Sequence, residues 1–433
     1  MTDYDYIIIG SGASGSVIAS RLTEMPGARI LLLEQGRRDS NPMLRLPAGF
    51  IKMIGGHRDV YIHESAPQPS LNGRRQTIVQ GQVLGGSTSV NAMVYMRGRA
   101  AEYDHWADLT GHEGWNWQNM LARFKKQEGN RRFNDAYHNP HGPLKVSDSN
   151  HFAEMSYRFV QAMQELGSPH VLDFNRGRPD GVGFMQYTID RARRCSVVDA
   201  YLRPAMKNSK NLIVRTGAKV SKINIENGRA RSVTIGLGAD AETIHAQTEV
   251  IVTSGALMTP QLLMLSGIGD PEILKRFDLP VISPLKGVGQ NLQDHHEVPI
   301  LASTHRQMGY FGEDKGWRMV KNGLQYLLFR SGPVSTIGVE ATAFVMPDGT
   351  GDPIMQIFCI PTIYLDRDVA GFAPTKGVTF NALLLRPKAR GTVTLRSANP
   401  TDPPLINPNF LGNDHDLDWE IKGIAAMREI LKT

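Results

Sequence analysis

The stretch that most restricts what this chain can fold into lies at its start. Ile7, Ile8 and Ile9 form a short apolar run with no polar alternation, as expected of a strand buried on both faces of a parallel sheet. They run straight into Gly10-Ser11-Gly12-Ala13-Ser14-Gly15. In such a G-x-G-x-x-G turn the first glycine permits the tight reversal and the second lets backbone approach a pyrophosphate. The third lets the next helix lie close against the strand. That helix, predicted over about Ser14 to Glu24, would aim its free N–H groups and positive dipole end at phosphates. A glycine-rich turn alone could simply join a strand and a helix. Here a second apolar run, Arg29 to Leu33, follows and ends in Glu34, where a strand-end carboxylate accepts hydrogen bonds from a ribose diol. Strand, turn, helix, strand and acid in register predict a dinucleotide site. The acid argues against a 2′-phosphate in spite of Arg37 and Arg38 nearby, so NAD and FAD both remain.

The 433 residues suffice for two domains or for one large domain with insertions. Forty-eight basic and 42 acidic residues leave a net +6, scattered over short pairs such as Lys125-Lys126 and Arg193-Arg194. This reads as solvated faces, with room for contact to anionic substrates or lipid headgroups and no nucleic-acid motif. Cys195 and Cys359 form neither a disulfide framework nor a C-x-x-C, so redox chemistry has to come from a cofactor. A strand beginning at about Tyr4 leaves no room for a signal peptide, and no apolar stretch is long enough to span a bilayer. The expected setting is the cytoplasm, with peripheral contact to the inner membrane left open.

Residues 36–79 are rich in Pro, Gly and polar side chains and read as a long surface excursion. A second glycine-rich turn follows, Gly81-Gln82-Val83-Leu84-Gly85-Gly86-Ser87, and then an apolar segment with one amide expected to be buried, Asn91-Ala92-Met93-Val94-Tyr95-Met96. Either it approaches a flat or phosphorylated ligand, or it is a tight turn leading into core. Helices are predicted over Phe152 to Leu166, Trp317 to Phe329 and Asp414 to Leu431, with Asn116 capping another that runs to Glu128. Strands are predicted over Asn211 to Thr216, Lys219 to Ile225, Glu249 to Ser254, Ile354 to Ile360, Val378 to Leu384 and Thr392 to Leu395. Asn227-Gly228 is the signature of a hairpin turn. The strand ending at Ser254 runs into Gly255 and a helix, echoing the first glycine turn and offering one more backbone contact to the cofactor.

Three segments together resemble the glucose-methanol-choline (GMC) oxidoreductases. Gly81, Leu84, Gly85, Gly86, Ser87 and Asn91 match the first family signature, with Thr88 where a second serine is usual. Gly255 to Gly269 match the second, and Gly287-Val288-Gly289-Gln290-Asn291-Leu292-Gln293-Asp294-His295 the third. The resemblance covers essentially the whole chain. It implies a mixed α/β fold, with a Rossmann-like FAD-binding domain from 1–155 and 193–298. A substrate domain built on an antiparallel sheet would take 156–192 and 299–410, and a helix in 411–433 would return to the FAD domain. It implies FAD as cofactor, held by Gly10, Gly12, Ala13, Ser14, Gly15, Glu34, Gln35, Val83, Gly85, Gly86, Ser87, Asn91, Ala92, Met93, Val94, Val220, Ser254 and Gly255. Gly10, Gly12 and Gly15 would line the pyrophosphate, and Asn91 to Val94 would run along the flavin ring. Val90 stands where covalently flavinylated members carry histidine, so the cofactor should be non-covalent.

The activity implied is oxidation of an alcohol to an aldehyde or ketone, with hydride passing to flavin N5 and the hydroxyl proton to a base. In the family that base is a histidine near the C-terminus, partnered by histidine or asparagine. Both positions fall past Thr433, so no catalytic residue is assigned within the chain and an inactive flavin-binding fragment is one expectation. Met96, His295 and Glu297 are the candidate substrate contacts. His295 can instead be a structural partner of Asp294, and Glu297 occupies the place where choline-oxidising members carry a carboxylate. The segments 36–39, 193–196 and 329–334 look most like bacterial FAD-dependent L-sorbose and alcohol dehydrogenases, pointing to a polyol, a sugar or a simple alcohol. The electron acceptor stays open among oxygen, quinone and others. Leu385 before Arg386-Pro387 argues against the family's lyase branch, and the motifs at 81–98 and 255–269 argue against a nicotinamide enzyme. His138 and His141 lie in a Pro-rich loop without further ligands at metal spacing, so no metal is expected.

Overall fold

The computed structural model describes residues 4–349, 351–364 and 375–433. Its first layer is a six-stranded sheet in the order Leu212–Thr216, Ile30–Glu34, Tyr4–Ile9, Glu242–Val252, Arg229–Ile235, Val220–Glu226. The first four strands run parallel, and the last two form an antiparallel hairpin at one edge. Alternate residues of the central strands face two separate apolar cores. Ile8, Ile30 and Leu32 pack with Ala19 of the helix Ala13–Leu22 and with Val198 and Leu202. Ile7, Ile9, Leu31 and Leu33 pack with Ile223, Val233 and with Leu262 of the helix Gly255–Leu265. Both faces are covered, which is why the isoleucine run has no polar alternation. The hairpin turn at Asn227 and Gly228 has φ of +52° and +74°, as a two-residue turn matched to strand twist requires.

The second layer is a five-stranded antiparallel sheet, ordered Glu297–Ser303, Gly377–Leu384, Met355–Ile360, Ala341–Val345, Gly181–Phe184. The helices Glu154–Glu165 and Asp414–Ile430 cover its outer face through Phe159, Met163, Met427 and Ile430. Its inner face carries Phe344 and Phe358, which pack with Met93, Val94 and Met96 of the segment after the second glycine turn.

Two expectations need correction. Residues 36–79 are not only a surface excursion. They contain the helix Phe50–Ile54 and the paired strands Val60–Glu64 and Thr77–Gly81, and Leu44, Met53 and Val60 form a core of their own with Val83 and Val90. A two-stranded ribbon with one packed face leaves too short a period to stand out among prolines and glycines. The strand expected from Glu249 begins at Glu242. Its first half borders the hairpin, where only Ile244 and Ala246 are buried, so it reads as polar.

Candidate active site

A cavity of about 550 Å³ lies across the ends of the parallel strands, the place where such sheets bind ligands. Gly10, Gly12, Ala13 and Ser14 form one wall and Glu34 and Gln35 one end, while Gly86, Ser87, Val220, Ser254 and Gly255 are among the residues that complete it. Gly10 has φ of +102°, and a Cβ there would sit 2.6 Å from the Thr253 carbonyl oxygen. A Cβ on Gly12 would meet nothing within 4 Å, because it would point into the open site. Gly15 departs from the expectation that it lines the pyrophosphate. It is not part of the cavity wall, and a Cβ on it would lie 1.9 Å from the Gly10 carbonyl oxygen. Its absence of side chain serves helix-to-strand packing. The helix starting at Ala13 has no side-chain cap and no acid in its first turn, so its first N–H groups face the cavity ready for an anion.

Glu34 is 5% exposed, and its carboxylate is held by the turn itself. Oε2 accepts from the Ser11 N–H at 3.0 Å and hydroxyl at 2.6 Å, and Oε1 accepts from the Gly36 N–H at 2.8 Å. About one of its four lone-pair positions is left for a ribose hydroxyl. Glu34→Ala should therefore weaken FAD binding by about 1.5–3 kcal/mol, the value of a charge-assisted hydrogen bond. A flavin titration of the apoprotein checks this, and unchanged affinity removes Glu34 from the site.

The two glycine turns meet directly. A Cβ on Gly86 would lie 2.9 Å from Gly12 Cα, and the Gly85 N–H donates to the Ser11 hydroxyl at 3.1 Å. Gly85 and Val83 support this contact from below without lining the cavity, Val83 being fully buried. Asn91 is exposed rather than buried as its apolar neighbours suggest, and its Oδ1 accepts from the Met93 N–H at 3.1 Å and from Arg194 Nη1 at 2.7 Å. It thereby fixes Met93 at φ of +59°. Met93 is buried, while Ala92, Val94 and Met96 are half-buried against Phe50, Phe358 and Leu385.

Strand register puts Glu297 in one row with Leu383, Gln356 and Phe344, so Glu297 shares the inner face of the antiparallel sheet with that apolar wall. His295 is exposed, with Nε2 3.2 Å from the Leu385 carbonyl oxygen. His296 turns to the outer helix, where Nε2 lies 3.4 Å from Glu420 Oε1. Burial holds the His296 imidazole below its ordinary value and pushes the Glu420 carboxyl up to about 8.

Several contributors carry no motif. Thr253 donates its hydroxyl to the carbonyls of Ile9 and Gly10, clamping the turn from the neighbouring strand. Its position before Ser254-Gly255 was the only available hint. Lys219 and Gln80 line the cavity, and burial depresses the Lys219 ammonium. Arg194 is buried, donates through Nε to the Leu44 carbonyl, and is pushed down by burial to about 10.

Just past Met96 a buried ionic network anchors the segment. Arg97 Nη2 lies 2.8 Å from Glu128, with both side chains fully buried. His138 bridges Glu128 at 3.0 Å and Asp173 at 2.8 Å. Burial alone would lower the His138 value, but hydrogen bonds to Asp173 and Glu128 outweigh it and push it up to about 9. Among the described residues no group of three or more His, Cys, Asp or Glu could hold a metal ion, and no helix is long and apolar enough to cross a membrane.

Comparison with known proteins agrees with this architecture. The N-terminal GMC oxidoreductase model matches residues 4–297, and the C-terminal GMC oxidoreductase model matches 387–433. An alcohol dehydrogenase [acceptor] from Pseudomonas putida is 36% identical, covering 99% of this chain and 78% of that protein. An oxygen-dependent choline dehydrogenase from Brucella suis biovar 1 is 35% identical over 96% of this chain and 75% of its own length. The crystal structure of pyridoxine 4-oxidase from Mesorbium loti superposes with a TM-score of 0.89 at 26% identity, covering 99% of this chain and 80% of that one. Because the C-terminal model finds its match here, the expectation of an inactive chain has no support.

Proposed function

The chain belongs to the GMC oxidoreductase family, and from that premise we propose that it oxidises a simple, largely apolar primary or secondary alcohol to the aldehyde or ketone on a non-covalently held FAD. FAD and alcohol-type CH–OH donors come with the family. The contact between the two glycine turns supports the fit to FAD. A side chain at Gly12 would extend into the open cavity where a pyrophosphate has to lie, and one at Gly86 would strike the Gly12 backbone that borders it. Val90, buried and without a nucleophile, supports non-covalent binding.

Bound there, FAD supplies a hydride acceptor at its flavin N5. The chain's own residues bind and orient. The helix start and Gly12 hold the phosphates, Glu34 the ribose, and the Asn91–Val94 segment would lie along the ring. The observation that supports the substrate class is the apolar cluster in which Val94, Met96, Phe50, Phe358 and Leu385 pack around Met93 and Phe344 on the antiparallel-sheet side. Such a cluster excludes water and favours an alkyl chain, whereas a sugar would leave several hydroxyls without partners.

The test is anaerobic reduction of the FAD-loaded chain with a panel of straight-chain alcohols, sorbose, polyols and choline. Bleaching of the visible flavin band should be fastest with the straight-chain alcohols, and faster bleaching with sorbose or a polyol overturns the substrate class. Glu297 on the inner face favours choline as a second reading. Under it, Glu297→Gln would weaken choline binding by about 1.5–3 kcal/mol, the loss of a charged partner. Under the apolar-alcohol reading the same change leaves alcohol turnover close to that of the unaltered chain.

A further inference from the structure

The helix Gly316–Phe329 is packed against the protein by the wrong face for a soluble domain. It buries Asn322 and Tyr326, and these are polar contacts. Asn322 Nδ2 donates to Glu313, and the Tyr326 hydroxyl donates to the Ala192 carbonyl. The opposite side carries Trp317, Val320, Leu324, Leu327 and Leu328, spaced three, four, three and one apart along one stripe. All five are exposed, Trp317 by 74% and Leu328 by 71%. An apolar stripe of this size turned to solvent is unusual for a soluble surface and marks a contact with something else.

The flanking charges identify its chemistry. Lys315, Arg318 and Lys321 accompany the stripe, and the helix itself contains no acidic residue. Two acids, Glu313 and Asp314, precede the helix, and Glu313 lies 3.5 Å from Arg318. A helix with Trp and Leu on one side and Lys and Arg beside them suits the boundary of an anionic bilayer, with apolar side chains at acyl level and cations at headgroup level. Its position in the chain also matters. The segment leaving the helix passes through Pro333–Ser335, which touches Pro47–Gly49, and reaches Ile337 and Val339 in the apolar cluster around Met93 and Phe344. A lipid-seated helix would bring that apolar cluster close to the phase in which apolar alcohols concentrate.

We propose that Gly316–Phe329 is a membrane-docking helix that seats the protein on anionic lipid. The proposal does not depend on turnover, because its test reads binding alone. The purified chain is mixed with vesicles of phosphatidylcholine, with and without phosphatidylglycerol, and sedimented. It should co-sediment with the anionic vesicles, less so at high salt, and only weakly with phosphatidylcholine alone. Leu324→Glu with Leu328→Glu should lower partitioning about tenfold or more, as should Arg318→Glu with Lys321→Glu, each with an unchanged melting temperature. Brominated lipid should quench tryptophan emission in the unaltered chain, and Trp317→Phe should remove that quenching, which keeps the test sound if a glutamate variant misfolds. Failure of the unaltered chain to sediment with anionic vesicles overturns the proposal, as does equal binding by folded leucine variants. So does a concentration-dependent dimer that those variants abolish in the absence of vesicle binding, which would assign the stripe to a second copy.

Discussion

Gly12→Asp should give a folded chain that no longer retains FAD. A Cβ at Gly12 would meet no protein atom within 4 Å, so the substitution should leave packing intact. It places a carboxylate where the pyrophosphate has to lie, against the helix start at Ala13. Like charges at that distance and low solvation repel strongly, and the loss in affinity should be about a hundredfold or more. Gly15→Val is the contrasting control. Its Cβ would overlap the Gly10 carbonyl oxygen at 1.9 Å, and backbone cannot move aside cheaply, so stability should fall by about 1–3 kcal/mol or more. The pair separates a glycine kept for ligand from one kept for packing. Flavin absorbance of the purified proteins and their melting curves decide it, and a Gly12→Asp chain carrying flavin at the unaltered ratio would sink the assignment.

The second large effect is alkaline destabilisation through His138. Its folded value of about 9 lies above the ordinary imidazole value of 6.5, so the native state binds a proton that the unfolded state releases. The stabilisation is fully present below about pH 6.5 and is lost as pH rises through about 9, a total of about 3 kcal/mol. Denaturant melts at a series of pH values should fall across this window. His138→Gln should flatten that slope while lowering stability at neutral pH, because Glu128 and Asp173 lose a cationic partner. A parental curve that is level over the window refutes the charged state of His138. Arg97→Ala should be worse at every pH, by about 3–5 kcal/mol, since it strands the fully buried Glu128.

Much of the cofactor layer was legible because local pattern and tertiary role coincide there. The isoleucine run, the glycine turn and Glu34 obey one logic of strand, turn and helix, and the structure assembles them as read. The predicted strands at 211–216 and 219–225 fall within a residue of Leu212–Thr216 and Val220–Glu226. Asn116 caps the helix Trp117–Gln127 through the Asn119 N–H, as its place in the sequence suggests. What stayed hidden depends on partners far along the chain. Gly181–Phe184 has two glycines in four residues and becomes a strand only because Ala341–Val345 lies beside it. His138 looked like a loop residue among prolines, and its value comes from Glu128 and Asp173, which no spacing connects to it. The inward turn of Asn322 and Tyr326 was equally invisible, since the period of Gly316–Phe329 reveals two faces but not which one the protein covers.

The sheet order has a consequence for how the chain is made. Tyr4–Ile9 lies between Ile30–Glu34 and Glu242–Val252, and Thr253 clamps the turn that follows it. On the ribosome the first strand and its glycine turn emerge early, yet one edge of that strand stays unpaired until the far strand has been synthesised. At ordinary elongation rates the wait is about 10–40 s, long on the scale of hydrophobic collapse. During that interval an isoleucine-rich edge is open to pairing with other chains. The nascent protein is thus a natural client for chaperones, and slowing translation would lengthen its most vulnerable stage.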